Sequence, residues 1–240
     1  LTGTIPSELG YLSHLRLLRL RENDLTGTIP PELMQLSNLS ILDLASNKLT
    51  GTIPSAQGNS ARETEQQYPP IKELYLYANR LEGTVPFIST MEKLKVQRNR
   101  FTGFDQAYST LQTLESWKMY QNKISGPLPQ NWDAPLLSYV DLGNNFWTGT
   151  IPESLWNLPS IQTLCLHDSQ LTGTLPEVTA GNQWKYLWLH SNQLSGTIPI
   201  TFGSNWVNLT EMLLYDNSLS GSISESQCNQ WPNLTRLEAD

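Results

Sequence analysis

Apolar residues in this chain fall at the same offsets again and again. An apolar opener is followed three and five residues later by two more, and usually eight residues later by asparagine: Leu15, Leu18, Leu20, Asn23; Leu39, Leu42, Leu44, Asn47; Ile71, Leu74, Leu76, Asn79; Met91, Leu94, Val96, Asn99. The frame returns at Leu114, Trp117, Met119, Asn122; Leu137, Val140, Leu142, Asn145; Ile161, Leu164, Leu166, Ser169; Trp184, Leu187, Leu189, Asn192; and Leu209, Met212, Leu214, Asn217. Alternation around the second and third apolar positions predicts a short strand with one face in a core and the other in solvent. A second phrase, leucine, Ser/Thr, glycine, any residue, aliphatic, proline, runs in phase with the first. It occupies residues 1–6, 25–30, 49–54, 81–86, 124–129, 147–152, 171–176 and 194–199, with Ile124 and Trp147 in the leucine place and Glu82 in the Ser/Thr place. Residues 101–103 and 219–221 keep its beginning and lose its proline.

Two phrases in register at a period in the low twenties predict a stack of near-identical turns, each burying its apolar edge against its neighbours. Such stacking sets the strands side by side, about 4.8 Å apart, in one parallel sheet. The recurring asparagine carries two donors and an acceptor, so at each bend it can satisfy backbone groups that the turn leaves unpaired. Ser169 interrupts that ladder and is expected to loosen it locally. Glycine permits positive φ or close approach, and proline fixes φ and ends strand pairing.

The combined string, L-x-x-L-x-L-x-x-N-x-L-(S/T)-G-x-I-P-x-x-L, resembles the plant-specific leucine-rich repeat (LRR). That repeat is found in ectodomains of plant receptor-like proteins and kinases, in polygalacturonase-inhibiting proteins and in algal surface proteins. The resemblance implies an α/β fold: a right-handed solenoid with a parallel sheet on its concave side and short 3-10 helices and loops on its convex side. The expected organisation is one LRR domain of about ten repeats over residues 1–240, opening and closing mid-repeat, with a polar loop inserted at residues 55–70. Neither end shows the polar cap that a solenoid needs. The sequence therefore reads as a piece of a longer protein, with assembly through the uncapped ends and membrane anchoring left to segments outside it.

A net charge of -7 argues against a nucleic-acid partner. No apolar run is long enough to cross a bilayer. Cys165 is expected on the outward side of a strand and Cys228 on the convex side, too far apart to pair with each other. Cys228 is a candidate to pair with a cysteine in an absent cap. Three sequons, at Asn38, Asn208 and Asn233, fit a secreted or cell-surface glycoprotein. Asparagine before the opening leucine is equally a feature of the repeat itself. The repeat opening at Met91 departs from the pattern, with Asp105 where the buried aliphatic belongs and Gln106 in place of proline, which predicts a distorted turn.

Alternation sends the residues flanking the third apolar position outward, and read down the stack they form two columns on the concave wall. One runs Arg19, Asp43, Tyr75, Lys95, Lys118, Asp141, Cys165, Trp188, Leu213; the other runs Arg21, Ala45, Tyr77, Gln97, Tyr120, Gly143, His167, His190, Tyr215. A central cluster of Tyr75, Tyr77, Lys93, Lys95, Gln97, Arg98, Lys118 and Tyr120 joins aromatic area to positive charge. A second cluster holds His167, Tyr186, Trp188, His190, Leu213 and Tyr215. Exposed aromatics with polar neighbours are typical of binding surfaces, although cross-strand cover is an alternative use for them. His167 and His190 sit at equivalent places on neighbouring turns, about 5 Å apart, beside Asp168 and Cys165. The spacing permits a metal or a pH-sensitive pair, but coincidence in a solvated column is the simpler reading, so no metal or cofactor is assigned.

No phosphate-cradling glycine loop, zinc-spaced ligand set or triad is present, so the chain reads as a non-enzyme. The preferred function is an extracellular recognition module that binds a protein, peptide or glycan on its concave face. The ligand-binding residues are Tyr75, Tyr77, Lys95, Gln97, Lys118, Tyr120, His167, Trp188, His190 and Tyr215. The alternative is a structural or adhesive scaffold of an extracellular matrix or large assembly. The resemblance adds an inhibitor of a polysaccharide-degrading enzyme, and the stacked Thr-Gly-Thr hydroxyls add ice binding.

Overall fold

The computed structural model describes residues 1–55, 68–177 and 183–239. Residues 56–67, most of the expected polar loop, lie outside the described residues. The chain divides into two compact units: residues 1–108 with 121–123, and residues 109–120 with 124–240. In the first, the strands Leu17–Arg19, Ile41–Asp43, Glu73–Tyr75 and Lys93–Lys95 pair in parallel, with Leu18, Leu42, Leu74 and Leu94 in line. In the second, Ser116–Lys118, Tyr139–Asp141, Thr163–Cys165, Tyr186–Trp188, Glu211–Leu213 and Arg236–Glu238 do the same. Each middle residue from Leu18 to Met212 is buried, as a strand with one face inward requires.

The leucine-glycine phrase builds short parallel sheets of two, three and five strands. In the first unit Thr2–Thr4 pairs with Asp24–Thr26, and Thr50–Gly51 with Arg80–Val85 and then Arg100–Phe104. In the second unit Ser125–Pro127, Phe146–Thr150, Gln170–Thr174, Gln193–Thr197 and Ser218–Ser220 follow one another. The two threonines of the phrase have separate tasks. The first donates its hydroxyl to the glycine carbonyl of the preceding rung, as Thr26 does to Gly3 at 3.2 Å and Thr50 to Gly27 at 3.3 Å. The second packs its methyl where the next glycine lacks a Cβ. A Cβ on Gly173, at φ +92°, would lie 2.8 Å from the Cγ2 of Thr150.

Proline then starts the third side of each turn. Pro6, Pro30 and Pro152 cap the short helices Ser7–Tyr11, Pro31–Gln35 and Glu153–Trp156 with φ of -67°, -64° and -69°, close to the angle the ring imposes. In the phrase at residues 219–224 serine stands in the proline position. There Ser224 forms a capping box with Gln227 and starts the helix Glu225–Cys228 by another route. Trp156, Trp184, Trp206 and Phe202 pack together in the second unit, with Trp184 and Trp206 centroids 4.9 Å apart. Trp156 and Trp206, which follow the proline of their phrases, thus turn inward and complete the core.

The expected distortion in the repeat opening at Met91 is a change of register. Gly83 pairs with Phe101 and Thr84 with Gly103, so one residue is skipped between them. The bulge moves Phe104, rather than Asp105, into the buried position.

Every bend uses one device. The residue before the ladder asparagine is left-handed although it is not glycine: Glu22, Ser46, Ala78, Arg98, Gln121, Asn144, Asp168, Ser191 and Asp216 have φ between 50° and 57°. That conformation costs about 1–2 kcal/mol per residue. The asparagine that follows holds it in place. Asn79 donates from Nδ2 to the carbonyls of Leu76 in its own rung and Leu44 in the preceding one, and its Oδ1 accepts from the Leu49 N–H at 3.0 Å. Asn47, Asn99, Asn192 and Asn217 repeat the pattern. At Ser169 the hydroxyl reaches only the Asn145 carbonyl, at 3.5 Å, while the Leu142 carbonyl accepts from the Trp147 indole N–H at 2.7 Å. The indole replaces part of what the missing asparagine would supply. Asn79→Ala is expected to lower the unfolding free energy by about 2–3 kcal/mol, and Ser169→Ala by less than about 1 kcal/mol. Urea unfolding reads the contrast, and equal losses would remove the ladder's special role.

Candidate functional site

Each rung presents three outward positions on its strand wall: one before the middle apolar residue and two after it. In the first unit these place Arg19, Arg21, Asp43, Glu73, Tyr75, Tyr77 and Lys95 around an open cleft of about 500 Å³. Three sequence-predicted residues, Tyr75, Tyr77 and Lys95, therefore come together there. Arg19, Arg21 and Asp43 belong to the columns but not to the predicted site, and Glu73 comes from the third outward position, which the two-column reading passes over. The signal was available, because alternation sends residue 73 to the same side as residue 75.

Glu73 organises the floor of this cleft. It accepts the Tyr75 hydroxyl at 2.8 Å and the Lys93 ammonium at 3.0 Å. Burial alone would raise its carboxyl. Those two hydrogen bonds, with the charges of Lys93 and Arg19, outweigh it and hold the group below the ordinary carboxylate range. Burial and the Glu73 charge in turn push the Tyr75 phenol well above its usual value, so it remains a donor. Lys95 lies over the Tyr75 ring, 5.0 Å from its centroid. Glu73 is thus satisfied within the wall. Arg19 and Lys95, by contrast, have no carboxylate within ion-pair distance among the described residues.

In the second unit Lys118 covers the Tyr139 ring, 3.7 Å from its centroid, and Tyr120 is half-buried. His167, His190 and Tyr215 form a column of stacked rings with centroid spacings of 4.7 and 4.6 Å. Trp188 donates its indole N–H to Glu211 at 3.2 Å and meets Tyr186 edge-on. The column rings cover one another's faces, so they offer edges and in-plane polar atoms rather than a flat platform for a sugar.

Several residues expected in solvent are buried: Asp43 at 2 % exposed, Asp141 at 6 %, Cys165 at 0 %, Leu213 at 4 % and the predicted site residue Gln97 at 7 %. Alternation gives a side chain its direction, but a short one is overgrown by long neighbours. Asp43 lies between Arg19 and Tyr75 in the cleft wall, and Asp141 feels Lys118 and His167. Gln97 leaves its Oε1 buried without a partner, so it belongs to the wall's interior rather than its contact surface. Cys165 and Cys228 are free thiols, the first buried and the second exposed. The sequon asparagines Asn38, Asn208 and Asn233 are exposed. Asn38 and Asn233 donate their Nδ2 to the carbonyls of Ser13 and Val207, a stitching role for asparagine before the opening leucine.

Asp141 gives this wall a pH dependence. Burial raises its carboxyl to about 6, against the lowering effects of His167, the Gly143 N–H and Lys118. A raised folded-state value means that the native state holds the proton more tightly than the unfolded chain. The stabilisation is full below the ordinary 3.8 and is lost as pH rises through about 6. Asp141→Asn is expected to flatten stability across that window and to raise it at neutral pH by on the order of 2 kcal/mol. Thermal melts from acid to neutral pH check this, and a parallel offset with unchanged slope would contradict it.

Comparison with known proteins agrees with this architecture. The Leucine Rich Repeat family model matches residues 14–36, 38–60, 136–158 and 183–205. Receptor-like protein 18 of Arabidopsis thaliana is 36% identical over 78 residues, covering 32% of this chain and 9% of its own length. The chain thus spans about a tenth of the curated relatives it matches. The plant peptide hormone receptor RGFR1, solved in complex with RGF2, superposes with a TM-score of 0.79 at 28% identity, covering 100% of this chain and 42% of the receptor. The Arabidopsis receptor kinase HAESA, solved with the peptide hormone IDA and the co-receptor SERK1, gives 0.79 at 29% identity, covering 99% of this chain and 43% of HAESA. Phased repeats and paired rungs, together with these matches, make the chain similar to the leucine-rich repeat ectodomains of plant receptors.

Proposed function

We propose that this chain is a ligand-recognition module displayed outside the cell, and that its strand wall receives an extended peptide bearing acidic groups. The observation that carries the reading is the cleft of the first unit, where Arg19 and Lys95 face solvent without a carboxylate partner in a protein of net charge -7. Cations outside ion-pair distance of a carboxylate, beside Tyr75 and Tyr77, combine steering of an anion with aromatic contact area. Glu73 is neutralised by Tyr75 and Lys93, so it offers an incoming carboxylate little repulsion. RGFR1 and HAESA, with folds superposable on this one, are described with peptide hormones bound, which supports a peptide over a glycan. The face-to-face stacking of the aromatic column, which leaves ring edges rather than faces outward, points the same way. An extracellular setting is supported by the three exposed sequons and by the likeness to receptor ectodomains.

On the flank, the threonine hydroxyls of Thr26, Thr50 and Thr102 already donate to glycine carbonyls, which leaves the Thr-Gly-Thr array a structural explanation of its own. The test is surface plasmon resonance against a panel of synthetic acidic peptides. Binding should weaken as salt rises from about 50 to about 300 mM, and Arg19→Glu with Lys95→Glu should lower affinity by about tenfold or more, mainly through slower association. Peptide binding that ignores both salt and the charge reversals would overturn the reading.

A further inference from the structure

The ring column of the second unit contains a set of donors that the peptide reading does not use. His167 and His190 hold the same position on consecutive rungs, and their rings are parallel to within 4°. Each ring also has a neighbour on its outer face. Tyr215 stacks on His190 at 4.6 Å with an interplanar angle of 15°. On the other side His167 lies against Gly143, where a Cβ would come within 2.7 Å of its Nε2, so only glycine admits the ring there. The left-handed corner at Asp168, φ 50°, turns the carboxylate back beside the imidazole, with its Oδ2 2.9 Å from the His167 Nδ1.

One atom in this group is unexplained. The Nδ1 of His190 has no exposed surface and no hydrogen-bond partner. A desolvated ring nitrogen without a partner is a cost that the surrounding contacts do not relieve. One donor atom from each of His167, Asp168 and His190 lies within 4.8 Å of the others.

We propose that His167, Asp168 and His190 form a binding site for a divalent transition-metal ion of the zinc type, with its remaining position open toward solvent. Two imidazole nitrogens and one carboxylate oxygen are the donor set of an open three-ligand zinc site. A single carboxylate does not provide the six or more oxygens that calcium takes. A tetrahedral ion holds nitrogen ligands about 3.4 Å apart, so binding requires the two imidazoles to tilt out of their parallel stack by side-chain rotation while the strands stay in place. The open position would accept water or a donor atom from whatever lies on the wall. The site is separate from the cleft of the first unit, and its presence or absence leaves the peptide reading standing.

Isothermal titration of Zn²⁺ into EDTA-treated protein near neutral pH tests the assignment. A Cys228→Ser background removes the exposed thiol as a competing ligand. The expected result is one ion per chain with micromolar affinity. His167→Gln and His190→Gln should each weaken it by about tenfold or more, Asp168→Asn should weaken it less, and His14→Gln should leave it unchanged. Co²⁺ added to the unsubstituted chain should give the intense visible absorption of a four-coordinate site, which reads the geometry without any ligand substitution. Absence of both the Zn²⁺ heat and the Co²⁺ absorption, or Zn²⁺ binding of equal strength in the double histidine variant, would overturn the proposal.

Discussion

Stacking short strands into a coil forces the backbone through a sharp bend at every turn, and the bend lies where water cannot reach all of its polar groups. The asparagine ladder meets that constraint. Its side-chain amide bridges the carbonyl of its own rung, the carbonyl of the rung before and the N–H at the start of the flank phrase. One residue thus bonds two carbonyls, each shared with the asparagine of an adjoining rung, and one N–H, and the left-handed residue before it is held in a conformation it would not adopt alone. Where asparagine is replaced by Ser169, the Trp147 indole enters to serve the Leu142 carbonyl. Strand registry, the direction of the wall side chains and the position of corner residues such as Asp168 all follow from these bends.

The leucine-glycine sheets supply a second registration. Threonine methyls fill the notches left by the glycines, and threonine hydroxyls bond the glycine carbonyls. Rungs are thus fixed to each other on two sides by side chains as well as by backbone pairing. A wall held this firmly can carry unpaired charge and stacked rings without distortion. That rigidity makes the cation cleft and the histidine column credible as preorganised surfaces.

The rungs were legible in the sequence because hydrophobic offsets and glycine-proline phrases recur in phase, and the buried middle residues from Leu18 to Met212 fall where the pattern puts them. Other features were hidden for definite reasons. The left-handed corners carry Glu, Ser, Ala, Arg, Gln, Asn or Asp, which give no glycine signal. The burial of Asp141, Cys165 and Gln97 depends on the size of their neighbours, which alternation does not report. Glu73 escaped notice because only two of three outward positions were read down the stack. In the repeat opening at Met91, a one-residue slip that composition does not reveal put Phe104 where Asp105 was expected.

The threonine-in-notch contact also bears on how such a molecule changes length. The methyl of one rung sits at the glycine of the next, and the asparagine reaches the adjoining bend. Deleting or duplicating a whole repeat therefore re-creates the same junction between new neighbours, while a deletion of a few residues leaves a methyl with no socket. Changes of length by whole periods thus keep the joints between rungs intact, while the side chains on the wall are free to vary.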